Sequence, residues 1–192
     1  MMSMRIAKND NVIYLLVGPR ASGKSHYIQR LSAEQPGISV VSRDEILIRH
    51  FGSTDTSPYD GSHRFVRDIM YRLLRRKLST RTGMRLVLET WTGDSMDRYK
   101  VMSRLREYGA TRIVALYLVT PVECVKKWFW LKPGIARIGE MSHRQGQNLT
   151  FYSEDAPAHD YALYHKLALG IDSEGFDQVV RVNPTGPLVI LE

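Results

Sequence analysis

The sequence predicts an α/β fold in which a mainly parallel five-stranded sheet lies between helices. Five short apolar runs alternate with segments of helical spacing, an order that is typical of a parallel sheet covered on both faces. The first run, VIYLLV at residues 12–17, lacks the polar alternation of a half-exposed strand and indicates burial on both sides. The other runs cover residues 38–41, 86–88, 113–119 and 179–182.

Four of the segments between these runs have the spacing of helices. They are residues 24–33, 63–78, 95–108 and 122–130. Gly109 is suited to end the third helix, and Pro121 is suited to open the fourth, where its missing N–H group costs nothing. Residues 132–157 are rich in Gly, Pro, Ser and Gln, and we expect them to be the least regular part of the chain.

Length and composition predict one domain over residues 1–192, with a full apolar core. No apolar run approaches the ~18 residues of a membrane span, and the N-terminal residues lack the apolar segment of a signal peptide. Cys124, the single cysteine, cannot form an internal disulfide, which fits a reducing compartment. We therefore expect a cytoplasmic protein without a membrane partner. The oligomeric state stays open.

Residues 18–25 read GPRASGKS, which has the form G-x-x-x-x-G-K-[ST] of a P-loop. The apolar strand before it and the helical segment after it are the context that such a loop requires. Its backbone N–H groups converge on the β-phosphate, Lys24 follows the β- and γ-phosphates, and Ser25 offers a hydroxyl to Mg²⁺. We therefore predict ATP and Mg²⁺ as ligands of a P-loop NTPase or nucleotide-kinase-like three-layer fold. The predicted nucleotide-binding residues are Gly18, Ala21, Ser22, Gly23, Lys24 and Ser25.

A carboxylate that can act as a base follows the second strand. Residues 42–44, Ser-Arg-Asp, come where that strand reaches the sheet edge beside the P-loop, and substrates of such folds bind there. In phosphoryl transfer to a hydroxyl, the acceptor must lose a proton. Asp44 is thus placed to be the catalytic base.

The order of these segments resembles the polynucleotide 5′-hydroxyl kinase family of P-loop phosphotransferases. The resemblance rests on GPRASGKS, on the strand ending in Ser-Arg-Asp, on LVLET at residues 86–90 and on EGFDQVV at residues 174–180, and it spans residues 12–182. It implies that Asp44 is the general base and that Arg43 is its neighbour in the family's Arg-Asp pair. It also implies a phosphate-covering lid at about residues 122–157.

Glu89 ends the third apolar run, where the resembled family usually carries Asp. A carboxylate there can hold Mg²⁺, directly or through water, or it can position the acceptor hydroxyl. A helix cap or an ordinary salt bridge would use the same residue type. We list Ser25 and Glu89 as metal-binding candidates and Glu89 also as catalytic.

The lid should supply a cation to the transferring phosphoryl group. By alignment with the resembled family, Lys127 occupies the place of the lid arginine. Lysine lacks the two-pronged guanidinium of arginine, which leaves Arg137 and Arg144 as alternative lid cations. These basic residues could also form an ordinary solvated face without a catalytic role. The aromatic residues at 128–130 follow at once. Successive helical side chains point about 100° apart, so these three rings cannot all share one buried face, and one could stack on a base.

Net charge predicts an anionic partner. The chain has a formal charge of +7 and a pI near 9.6, a balance that favours nucleic acid as substrate. Residues 54–76 offer a second substrate surface, with Tyr59, His63, Arg64 and Arg67 near the start of an amphipathic helix. A solvated helix face would show the same pattern.

The leading hypothesis is an ATP- and Mg²⁺-dependent kinase that phosphorylates a hydroxyl of a nucleic acid, most simply a 5′ end of DNA or RNA. Within the same class, the acceptor could be a hydroxymethylated base, a nucleoside or another small alcohol. In a different class, the chain could be a nucleic-acid-stimulated NTPase or a nucleotide-dependent binding module.

Overall fold

The computed structural model describes residues 9–52, 54, 61–132, 134–139 and 149–189. Its strands are β1 (Val12–Val17), β2 (Ser39–Ser42), β3 (Arg85–Glu89), β4 (Arg112–Leu118), β5 (Ile135–Arg137), β6 (Thr150–Tyr152) and β7 (Gln178–Val182). Its α-helices are α1 (Lys24–Glu34), α2 (Arg43–Phe51), α3 (Ser62–Thr80), α4 (Ser95–Glu107), α5 (Val122–Trp130) and α6 (Ala156–Leu167). A single 3₁₀ turn, Ile171–Ser173, precedes β7.

Five parallel strands form the central sheet, as the sequence predicts. Their order in the sheet is β2-β3-β1-β4-β7. The chain passes from β1 to β2, which is an edge strand of the sheet. The next strand, β3, lies between β2 and β1. The chain then crosses to β4 on the far side of β1. The crevice where the connections diverge is therefore at the carboxyl end of β1 and β3, which is where open α/β sheets bind their ligands.

The continuous apolar runs are explained by burial on both faces of the sheet. Along β1, Ile13 and Leu15 pack with α3 and α4 on one face, whereas Tyr14 and Leu16 pack with α1 on the other. Leu188 also lies against the α1 face. The predicted three layers are thus present, and each strand of the centre has no solvent side that would require polar residues.

The region predicted to be irregular contains regular structure. β5 and β6 pair in parallel, with Ala136 opposite Phe151, and α6 begins at Ala156. Three-residue strands are too short to leave a periodic pattern in the sequence, which is why the prediction missed them. In α5, Phe129 is buried while Trp128 and Trp130 are only partly covered, as their spacing requires.

Helix α2 is the other element that the sequence analysis missed. Ser42 caps its first turn by accepting a hydrogen bond from the Glu45 backbone N–H at 3.2 Å, and Gly52 ends it with a φ of 76°. The helix has only nine residues, so its apolar face is too short to read reliably. Among the described residues, no helix combines the length and the apolar character that a bilayer crossing needs.

Candidate active site

The loop between β1 and α1 has the backbone of a phosphate cradle. Ala21 and Gly23 take left-handed conformations, with φ of 59° and 85°, and Ala21 is the one described residue other than glycine with a positive φ. Alternation of left- and right-handed residues turns successive N–H groups toward one point, which makes an anion-binding nest. The Ser22 hydroxyl is buried there and forms no hydrogen bond within the described part of the chain. The loop therefore suits a phosphate.

Lys24 opens α1 and folds back over this loop. Its ammonium donates hydrogen bonds to the carbonyl oxygens of Gly18 and Pro19, at 2.9 and 2.8 Å. Loss of water around the amine lowers the pKa of Lys24 to about 8, an effect that the nearby Glu89 carboxylate opposes. Two backbone carbonyls are weak partners for a cation, so a phosphate would displace them readily.

Glu89 lies between the two neighbouring strand ends and is 4% exposed. The sheet register places it opposite Ser42, whose hydroxyl donates to Glu89 Oε2 at 2.6 Å. The hydroxyl of Ser25 donates to Glu89 Oε1 at 3.1 Å. Burial raises the pKa of the Glu89 carboxyl, and the Ser42 hydrogen bond opposes the rise. Glu89 thus links the phosphate loop to the start of α2.

These oxygens fit a magnesium ion. Mg²⁺ prefers oxygen ligands and takes one or two carboxylates together with waters and substrate phosphates. The Ser25 hydroxyl and the Glu89 carboxylate are adjacent and lie beside the phosphate loop. Within the described ranges, no cluster of three or more His, Cys, Asp or Glu side chains could hold a metal by itself. A metal here would depend on the phosphates for its remaining ligands.

Asp44 lies in the first turn of α2, across Glu89 from the phosphate loop, and its side chain is 39% exposed. Arg43 donates to Asp44 Oδ1 at 3.2 Å and contacts His63 Nδ1 at 2.7 Å. Because a guanidinium can only donate, Nδ1 of His63 accepts, and the imidazole proton of the neutral ring is on Nε2. Ser42, two residues before Asp44, and Ser25, next to Lys24, both donate hydrogen bonds to Glu89, so this carboxylate connects the two segments.

Two cations near this site were missed by the sequence analysis. Lys132, just after α5, and Arg20, in the phosphate loop, both act electrostatically on Lys24. Lys132 also interacts with Asp44 and Glu89, and partial loss of water lowers its pKa. Arg20 donates to the Tyr152 hydroxyl at 2.6 Å. The sequence signal that could have indicated Lys132 is its position just after α5 and before a Pro-Gly pair.

Of the three predicted lid cations, Lys127 and Arg137 belong to the described part of the chain. Lys127 is on the exposed side of α5. The guanidinium of Arg137 pairs with Glu154 at 2.6 Å and covers the ring of Trp130 at 4.5 Å. Arg144 falls outside the described residues, as does Tyr59 of the second predicted surface. The roles predicted for Lys127, Arg137 and Arg144 stay predictions.

A buried ion pair supports the loop that follows Glu89. Arg98 is fully buried and forms two hydrogen bonds with the Glu174 carboxylate, at 2.5 and 2.6 Å. It also donates to the backbone carbonyls of Thr92, Gly93 and Leu167. These five hydrogen bonds, to four residues, use all five N–H donors of the guanidinium. Arg98 therefore ties the connection after β3 to the end of α6 and to the 3₁₀ turn that precedes β7.

The pKa of Lys24 predicts proton uptake on nucleotide binding. In the free protein, Lys24 is mostly neutral above about pH 8, and a bound phosphate restores its charge. Calorimetry of ADP binding in buffers of different ionisation enthalpy should show uptake approaching one proton near about pH 9 and almost none near about pH 6.5. The pKa of Lys24 is about 8 in the folded protein and 10.5 for a lysine in an unfolded chain. As the pH rises between these two values, the free energy of unfolding of the nucleotide-free protein should therefore also rise. Uptake that persists in Lys24→Met would contradict the assignment.

A second prediction concerns Gly23. A Cβ at this position would lie 2.8 Å from Cζ3 of Trp128 and 3.2 Å from Pro184, and the φ of 85° disfavours any side chain. We expect Gly23→Ala to weaken ATP binding at least about tenfold, because the loop must move. Gly37→Ala is the matched control, since nothing lies within 4 Å of its Cβ position. If an ATP titration gave equal affinities for Gly23→Ala and Gly37→Ala, the predicted steric clash of the added Cβ in Gly23→Ala would be wrong.

Comparison with known proteins agrees with this arrangement. A family model described as an AAA domain matches residues 13–130, more than half of the chain. No curated protein matches the sequence at a comparable level of significance.

Several solved structures share the fold. A chain of the Pnkp1/Rnl/Hen1 RNA repair complex superposes with a TM-score of 0.60 at 16% identity, over 85% of this chain and 47% of that one. A protein from Chloroflexus aurantiacus, named as a proposed kinase, gives 0.60 at 15% identity over 92% and 89%. Shikimate kinase from Acinetobacter baumannii, in complex with shikimate, gives 0.50 at 20% identity over 92% and 86%.

The chain thus spans about half the length of the repair-complex protein that it matches, and at these identities the likeness concerns the fold. That fold is the P-loop kinase-like one, with the phosphate loop after β1 and acidic residues at the ends of β2 and β3. The chain is a member of the AAA domain family, with a P-loop kinase-like fold.

Proposed function

We propose that this protein is an ATP- and Mg²⁺-dependent kinase that transfers the γ-phosphoryl group to a hydroxyl of a nucleic acid, most simply a 5′-hydroxyl end of DNA or RNA. One observation carries the proposal: the phosphate loop and the start of α2 both hydrogen-bond to Glu89 through Ser25 and Ser42, and the partly exposed Asp44 lies in the first turn of α2. Such a carboxylate can take the proton of an acceptor hydroxyl in transfer, whereas a hydrolysing NTPase would use it to orient water, and the transfer assay below separates the two.

The residues divide the work of transfer. Asp44 accepts the proton of the acceptor hydroxyl, whose oxygen forms the new bond to the γ-phosphorus. The bond from that phosphorus to the β-phosphate oxygen breaks, and ADP leaves. Arg43 orients Asp44 and is itself held by His63. Lys24 stabilises the charge that develops on the β- and γ-phosphate oxygens.

Ser25 and Glu89 would hold Mg²⁺, which neutralises phosphate charge when it is bound. Lys132 is the lid cation that we favour, since it interacts electrostatically with Asp44 and Glu89, whereas Arg137 is engaged by Glu154. We also propose that Trp128 and Pro184, which flank Gly23, provide apolar surfaces for the nucleobase beside the loop. One domain over residues 1–192, with a lid at about 122–157, is part of this proposal.

The nucleic-acid acceptor is supported by charge. A small alcohol would need only a local pocket, whereas a net charge of +7 suits a polyanion. A fold shared with a protein of an RNA repair complex agrees with that choice.

The test is transfer of label from γ-³²P-ATP to a single-stranded oligonucleotide with a free 5′-hydroxyl, beside the same strand with a blocked 5′ end. Label on the free end alone is the expected result. Label on neither strand would reject the end-kinase function and direct the search to modified bases and small alcohols. Release of inorganic phosphate without labelled strand would favour the NTPase.

A further inference from the structure

A cavity of about 420 Å³ opens between α3 and α4, outside the site described above. Its lining consists of Asp68, Tyr71, Arg72, Arg75, Arg104 and Tyr108. Small-molecule pockets are mostly apolar, whereas this one combines three guanidinium groups with two phenol rings and a single carboxylate. Such a lining suits a ligand that carries both negative charge and flat rings.

The side chains in this cavity hold one another in place. The guanidinium carbon of Arg104 lies 4.8 Å from the ring centroid of Tyr71, and the ring of Tyr108 meets Tyr71 edge-on at 6.4 Å. Burial raises the pKa of Tyr71, while Arg104 and Arg67 oppose that rise. Arg67 therefore extends the same cluster by one turn toward the start of α3.

The exposed face of α3 is almost uniformly positive. Its arginines Arg64, Arg67, Arg72, Arg75 and Arg76 are all exposed. Asp68 is the one acidic residue of this helix, and no salt bridge to any of these arginines occurs within the described part of the chain. A face that serves solubility alone mixes both signs, because like charges repel. The excess of arginine is complementary to a chain of phosphates.

The end of this surface at the start of α3 adjoins the part of the active site where Asp44 lies. Trp91 follows Glu89 by two residues, is 62% exposed and donates from Nε1 to Asp97 at 2.8 Å. Its indole lies over Gly93, where a Cβ would be 2.6 Å from the ring. Asp97 lies two turns before Arg104 on the same face of α4, and Arg104 covers the ring of Tyr71. Trp91 and the cavity therefore lie along the same face of α4.

The length of this surface is set by α3. From His63, which contacts Arg43 beside Asp44, to Arg75 the helix rises about 18 Å. That distance exceeds one nucleotide, so only an extended strand could occupy both the acceptor site and the cavity.

We propose that the α3–α4 groove binds the single strand of nucleic acid that adjoins the acceptor hydroxyl, with its arginines on phosphates and Trp91, Tyr71 and Tyr108 beside the bases. This inference rests on the proposed function, which puts the 5′-hydroxyl end of the strand at Asp44 and so sets the direction in which the strand runs. Unpaired bases stack on aromatic side chains, and cations of the groove follow the backbone. Double-stranded nucleic acid would hide its bases from these rings.

The test measures binding and transfer separately. Fluorescence anisotropy without nucleotide follows a decamer of DNA or RNA that has a free 5′-hydroxyl and a 3′ dye. Arg75→Glu should weaken binding at least about tenfold and reduce the slope of log K against log salt by about one. Lys166→Glu on α6, an exposed change of the same charge outside the groove, should leave affinity and slope near those of the wild type. Trp91→Ala should weaken binding about tenfold.

Each outcome decides one of the two proposals. If the wild type labels the decamer but Arg75→Glu and Lys166→Glu bind it equally well, the groove is overturned and the kinase stands. If the decamer binds through Arg75 but no label is transferred, the groove stands and the end-kinase fails. Competition by a base-free polyphosphate as strong as that by an oligonucleotide of equal charge would show a general anion surface and reject the groove. Absence of binding also rejects it, while the transfer assay still judges the kinase.

Discussion

Asp44→Asn is expected to slow phosphoryl transfer by roughly 10²- to 10⁴-fold while ATP affinity stays close to that of the wild type. The amide keeps the shape of the side chain but cannot accept the proton of the acceptor hydroxyl. Asp44 lies in the first turn of α2, across Glu89 from the phosphate loop. Replacing its carboxylate should therefore leave nucleotide binding nearly unchanged. Single-turnover transfer to the 5′-hydroxyl strand and an ATP titration are the two measurements.

Glu45→Gln is the matched control, because Glu45 is the next carboxylate of the same helix turn and its side chain is exposed. It should transfer phosphate at nearly the wild-type rate. If Asp44→Asn retained full transfer, the proton would have another acceptor and Asp44 would not be the base. Hydrolysis of ATP that persists in Asp44→Asn without an acceptor would favour the NTPase.

Glu174→Gln is expected to give the largest loss of stability, about 3–5 kcal/mol of unfolding free energy. The change leaves the guanidinium of Arg98 buried without a counter-charge, whereas the wild-type carboxylate contacts it twice. For a chain of this size, such a loss lowers the melting temperature by roughly 10 °C or more. Denaturant unfolding followed by circular dichroism gives the free energy directly.

The exposed pair of Asp172 with Arg181 provides the comparison, since its hydrogen bonds have similar geometry but lie in solvent. Asp172→Asn should cost far less than Glu174→Gln. Similar unfolding midpoints for Glu174→Gln and the wild type would mean that the carbonyls of Thr92, Gly93 and Leu167 suffice for Arg98. If instead Glu174→Gln is destabilising as expected, Arg98→Met combined with Glu174→Gln should be less damaging than Glu174→Gln alone, because it removes the buried charge.

The strand pattern and the phosphate loop could be read from sequence because both depend on local rules. Residues 12–17 are apolar on both faces, and the loop after them carries its glycines and lysine at fixed spacing. The predicted order of sheet and helices is confirmed. The sequence analysis missed α2, β5 and β6, because segments of three to nine residues hold too few turns or alternations to show a period. It also missed α6, which has twelve residues but buries only Pro157 and Tyr164, so that the helix shows little of an apolar stripe.

The candidate site was predictable in part. Asp44 and Glu89 follow apolar runs, so their place at a sheet edge follows from parallel strands alone. That Ser42 and Ser25 bind the two oxygens of Glu89 depends on strand register, which no single segment contains. The nearness of Lys132 to Asp44 depends on how α5 packs across the phosphate loop.

Sequence by itself determined the α/β layering, the phosphate loop and the carboxylates at the strand ends, since each arises from neighbours along the chain. Tertiary structure alone decided that Arg98 meets Glu174, that Lys132 interacts electrostatically with Asp44 and that α3 and α4 enclose an arginine-lined groove. The physical reason is that charge and aromatic contacts act over a few ångströms, while the residues that make them are separated by tens of positions. Only the packing of helices on a twisted sheet brings such residues together.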